Sequence, residues 1–67
     1  MSLYDYRQSL ALDQLDASFD ALIMAAARKA DTAHYRRLMD AFPAQVIELA
    51  DRYDAPGGIL PTDQDAS

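Results

Sequence analysis

The chain has 67 residues, no cysteine, a single histidine and a net charge of −5 from eleven acidic and six basic side chains. This length holds one domain at most, and a domain of this size buries only about 60% of the surface its unfolded chain exposes. Without cysteine, disulfides and thiolate zinc sites are excluded. One histidine, His34, does not make a histidine-based metal centre. Association with another chain is the remaining source of extra stability. The acidic balance repels phosphate backbones, so general nucleic-acid affinity is disfavoured. The longest apolar run, "ALIMAAA", has seven residues, far short of the ~20 that span a bilayer. Asp13, Asp16 and Asp20 precede it, where a signal peptide would carry basic residues. A soluble cytoplasmic protein is expected.

The first element has two candidate starts. Ser2 with Asp5 three residues on forms a capping-box pattern, while Asp13 and Asp16 complement a helix dipole beginning near them; the two starts are compatible, with a short N-terminal turn or an early helical stretch before the second. Leu12, Leu15, Phe19, Leu22 and Ala26 follow at spacings of 3, 4, 3 and 4, the seam of a helix packed on another helix. Leu3, Tyr6, Leu10 and Met24 fall on the other side. Arg28 and Lys29 suit the C-terminus of this helix, and Asp31 or Thr32 the next N-cap.

The second stripe comprises Tyr35, Leu38, Met39, Phe42, Val46, Leu49, Ala50 and Tyr53, within about 120° of one another on a helical wheel. Arg36–Asp40 and Glu48–Arg52 are i,i+4 pairs. Pro43 lacks an N–H, and its ring crowds the carbonyl four residues back. The apolar phase nevertheless continues across it. Either a kinked helix or two segments, near 32–41 and 43–54, is expected to share one buried face.

Residues 10–29 and 32–54 then form two arms of similar length. The expected fold is all-α: an antiparallel helical hairpin with a proline kink or break in its second arm. Two hairpins would pair into a four-helix bundle around a two-fold axis. The single domain is placed at residues 1–61, with 62–67 a disordered acidic tail. Gly57 and Gly58 end the last helix and Pro61 blocks a restart. Ile59 and Leu60 then either fold back as a lid near Tyr53 and Leu10, or form a docking peptide.

No residue set carries catalytic chemistry. The serines have no histidine at helical spacing, and the aspartate row lacks the Glu-x-x-His pattern of metal-binding bundles. No catalytic residue, cofactor or metal is expected. Candidate partner-binding residues are Tyr4 and Tyr6, because exposed aromatics anchor interfaces, and the cations Arg28, Lys29, Arg36 and Arg37. The leading expectation is a homodimer that binds another protein. The alternative is a small nucleic-acid-associated regulator using the Arg28–Arg37 patch.

The segment "FPAQVIELADRYDAPGGILP" (42–61) resembles the ends of small helical proteins encoded by bacteriophages and prophages. The resemblance implies a bacterial host cytoplasm and an interaction role, the binding and inhibition or redirection of a host protein. It carries no functional residue over to this chain.

Overall fold

A computed structural model describes the backbone of residues 2–65 and the side chains of residues 2–63. The protein is all-α, with helices α1 (Leu3–Asp13), α2 (Phe19–Lys29), α3 (Thr32–Ala41), α4 (Pro43–Tyr53) and α5 (Pro61–Asp65), and a 3-10 turn at Pro56–Gly58. The Ser2 capping box forms in full. The Ser2 hydroxyl accepts from the Asp5 amide at 3.1 Å, and the Asp5 carboxylate accepts from the Ser2 amide at 3.1 Å.

The expected first arm is broken. The chain leaves the helix at Gln14 and re-enters it at Phe19, where the Ser18 hydroxyl caps the Ala21 amide at 3.0 Å. Neither glycine nor proline marks this break. The physical reason lies in phase. On one continuous helix, Leu3, Tyr6 and Leu10 would lie about 170° from the Leu12–Ala26 seam. Two opposed apolar stripes cannot both face the same partner helix. Asp16 and Ser18 also favour local side-chain-to-backbone bonds over helix interior positions. Ser18→Ala is expected to lower stability by ~1 kcal/mol, the usual loss for an N-cap, measured by chemical denaturation.

The break at Pro43 stands where the sequence places it. Phe42 adopts φ −133°, ψ 61°. Its amide still donates to the Leu38 carbonyl at 2.7 Å, and its carbonyl accepts from Val46 at 3.2 Å. Pro43 then occupies the first position of α4, where its missing N–H is no loss. The two segments do not continue as one arm. Gln45, near the start of α4, donates to Asp20, near the start of α2, at 2.9 Å. At the other ends, Ala27 and Arg28 share a cavity wall with Leu49, Ala50 and Tyr53. Helix α4 thus doubles back beside α3 and runs in the same general sense as α2. Three helices, not two arms, enclose the core.

That core is small. Val46 is 0% exposed, Ala27 and Leu49 are buried, and Met24, Tyr35, Leu38 and Met39 pack against them. The second stripe is therefore correct over most of its length, ending at Leu49: Ala50 is exposed, and Tyr53 is 83% exposed. The first seam is not. Leu12, Leu15 and Phe19 are exposed and Leu22 is half-buried. With α1 uncoupled by the break, α2 turns Met24 and Ala27 inward, about a third of a turn from the expected seam. No Cα of α1 comes within 8 Å of one in another helix among the described residues.

The tail is held by polar contacts. Gly57 and Gly58 have φ of 63° and 71°, a region open to glycine. The reversal brings the Gly58 carbonyl to Arg52 at 2.7 Å and the Asp63 carboxylate to the same guanidinium at 2.7 and 2.8 Å. Asp63 also accepts from the Leu60 amide at 2.9 Å. Pro61–Asp65 are thus helical where a disordered tail was expected from residue 62; Ala66 and Ser67 lie outside the described residues. The expected aliphatic lid is replaced by this clamp. Leu60 is half-buried, but Ile59 is 54% exposed, and α1 does not approach it.

The Arg52 guanidinium holds the Asp63 carboxyl down at about 2, below its ordinary 3.8. A depressed carboxyl stabilises the clamp fully above its ordinary pKa and loses that contribution as pH falls through the folded value. The clamp is expected to be intact at pH 5 and released between about pH 4 and pH 2. The Leu60 amide resonance should report it, and Asp63→Asn should reproduce the released spectrum at pH 7.

Candidate functional site

Apart from the Arg52 clamp, the titratable groups are engaged in capping or spread apart. Asp31 caps α3, accepting from the His34 amide at 2.8 Å, and the His34 ring Nδ1 lies 2.8 Å from the same oxygen. The amide bond, with the ring bond second, holds the Asp31 carboxyl below its usual range. The Asp13–Asp16–Asp20 row does not survive as a helical face, because Asp13 ends α1, Asp16 lies in the link, and Asp20 binds Gln45. Among the described residues no three His, Cys, Asp or Glu side chains converge as a metal site. No helix is long and apolar enough to cross a membrane.

What the surface offers instead is apolar area. Leu3, Tyr4, Tyr6, Leu10, Leu12, Leu15, Phe19, Ile47, Tyr53 and Ile59 are all exposed. The accessible surface is 5698 Å², against about 4,200 Å² for a compact monomer of this mass. The radius of gyration is 14.0 Å, against about 11 Å for a compact chain of this length. Helix α1 stands off the three-helix unit. Its Ser9, Leu12 and Asp13 face Leu22, Ala25, Ala26 and Lys29 of α2 across an open cleft of about 510 Å³.

The candidate anchors Tyr4 and Tyr6 are both exposed on α1, but about 160° apart around it. The four cations separate. Lys29 and Arg37 line a groove between α2 and α3 of about 760 Å³, whose apolar lining is Ala26, Ala30, Leu38 and Ala41. Arg28 belongs to the cavity between α2 and α4, and Arg36 to a face of α3 with Thr32, Met39 and Asp40. The basic cluster read along the sequence is thereby divided among three surfaces.

Sequence reasoning missed three features. Arg52 was paired only with Glu48, a contact that forms at 3.7 Å, while its closer partner is Asp63. Met24 was assigned to the outside. The alanines of the α2–α3 groove carry no polar or aromatic signal, although Ala26, Ala30 and Leu38 with Ala41 do recur at helical spacings of three and four. Comparison with protein-family models, with curated proteins and with solved structures gives no match.

Proposed function

We propose that the chain is a small non-enzymatic protein-binding module that works as a homodimer, of the kind bacteriophages encode to bind and to inhibit or redirect a host bacterial protein. The observation that carries this reading is the roughly 1,500 Å² of surface beyond that of a compact monomer, rich in exposed tyrosine, phenylalanine and leucine. Isolated apolar residues on a surface are ordinary, but an excess of this size with so many large apolar side chains exposed is what association with another chain would cover. Capping and clamping engage three of the carboxylates, Asp5, Asp31 and Asp63, in structure.

Tyr4 is the residue to interrogate, since an exposed, entropically cheap aromatic is a favoured interface anchor. A photo-crosslinking phenylalanine derivative in place of Tyr4, introduced in living bacterial cells, should yield one discrete adduct between this chain and a host protein. Adducts only between copies of the chain, together with binding to nucleic acid that weakens steeply with salt, would instead favour the regulator that uses Arg28, Lys29, Arg36 and Arg37.

A further inference from the structure

We infer that the groove between α2 and α3 receives helix α1 of a second copy of this chain, and that the exchange is reciprocal. The inference deepens the homodimer part of the proposed function and names its contact surface.

Helix α1 has two apolar aspects. Leu12 looks toward its own α2 across the open cleft. Leu3, Tyr6 and Leu10 form a second stripe about 150° further round, and all three are exposed. The stripe from Leu3 to Leu10 is about 10 Å long at 1.5 Å per residue. The groove follows α3 from His34 to Ala41, the same number of residues and so the same length. Its lining is built from alanines, which let a helix approach closely, with Leu38 as the one large apolar contact.

Charge agrees with shape. Lys29 and Arg37 rim the groove and form no ion pair among the described residues, while Asp31 beside them is already bonded to His34. The rim is therefore net basic. Helix α1 carries Asp5 and Asp13 against a single Arg7, so its net charge is acidic. Asp13 lies beside the Tyr6–Leu10 stripe on the wheel, where it can meet the rim.

Area agrees as well. A standard interface removes about 800 Å² from each partner, and the chain carries roughly 1,500 Å² beyond a compact monomer. Seating one α1 and receiving another would bury two surfaces per chain, which brings each protomer toward compactness. Its own link, residues 14–18, holds α1 over the cleft side of Ala26 and Lys29; the α2–α3 groove on the other side of those residues is left for the second copy.

The test places a photo-crosslinking phenylalanine derivative at Tyr6, in an equal mixture of unlabelled and isotope-labelled chains. The expected result is a covalent dimer joining one unlabelled and one labelled chain, its adducts mapping between Ala26 and Ala41. A second arm compares Leu10→Lys with Ile47→Lys, Ile47 being exposed on α4, outside stripe and groove. Leu10→Lys should raise the dimer Kd at least about tenfold, as loss of a buried leucine implies, with helical circular dichroism retained; Ile47→Lys should leave it within about twofold. Adducts mapping elsewhere in a protein that still sediments as a dimer would overturn the groove while leaving association intact. A wild-type chain that stays monomeric would overturn the inference, whereas a host-protein adduct at Tyr4 would still uphold the binding-module reading.

Discussion

Leu49→Ala is expected to lower stability by ~2–5 kcal/mol, the range for removing a buried leucine. Leu49 is one of three buried apolar side chains among the described residues, with Val46 and Ala27. At 0.05–0.15 kcal/mol per residue, a chain this long has about 3–10 kcal/mol in total. The substitution therefore removes much or all of its stability, and the cooperative thermal transition should fall by at least ~10 °C or vanish. Leu15→Ala supplies the contrast. Leu15 lies in the link between α1 and α2 and is exposed, so within one chain its truncation should change stability by no more than ~0.5 kcal/mol. Equal effects at the two positions would mean that the first seam read from the sequence, and not the three-helix core, is the buried one.

Phe42→Ala is the second large effect, at ~2–3 kcal/mol. A fully buried phenylalanine costs about 3–5 kcal/mol on truncation, but Phe42 is only half-buried, and the expectation falls accordingly. Its ring meets Phe19 edge-on, with centroids 5.6 Å apart and planes at 68°. Such pairs contribute about 0.5–1.5 kcal/mol beyond their area. Phe19 is 59% exposed, so Phe19→Ala alone should cost less than Phe42→Ala. A double-mutant cycle should return a coupling within that aromatic range. A coupling near zero would show that the ring contact does not tie the start of α2 to the α3–α4 corner.

The two phenylalanines illustrate how much of the fold was legible. Their meeting follows from stripe positions, and the structure shows the contact, but at the rim of the core and not within it. The all-helical content, the caps at Ser2 and Asp31, the boundary at Pro43 and the buried face through Tyr35, Leu38, Met39, Val46 and Leu49 are all local, since each depends on residues within one or two turns. Two helix starts were legible, at Ser2 and near Asp13–Asp16, but the link at 14–18 was not, because nothing in it forbids helix. Its cause is a phase conflict between distant halves of one segment, together with the Ser18 cap. The reversal at Phe42 was also hidden. A proline at that point is compatible with a kink or a full turn, and only the Asp20–Gln45 and Ala27–Leu49 contacts select the turn. Of the surface candidates, Tyr4 and Tyr6 are exposed, as their early position suggested. The cations were grouped by closeness in sequence, and the divergence of α2 and α3 parts them.

The tail repeats the lesson. Gly57 and Gly58 announced a reversal, and the reversal is there. Its anchor was sought in the aliphatic pair Ile59–Leu60, yet a bidentate guanidinium–carboxylate pair has the better geometry for holding a short segment. Arg52 and Asp63 are eleven residues apart, beyond any helical spacing, so no periodicity links them. The phage-type character of the segment remains part of the proposed function.

The most direct measurement of the central claim, that the exposed apolar faces of this chain are association surfaces, is sedimentation equilibrium of the purified chain at micromolar concentration. The account predicts twice the chain mass of 7.4 kDa, with dissociation on dilution accompanied by loss of thermal stability, as mass action requires. A species of 7.4 kDa at every concentration, melting cooperatively at a concentration-independent temperature, would contradict it.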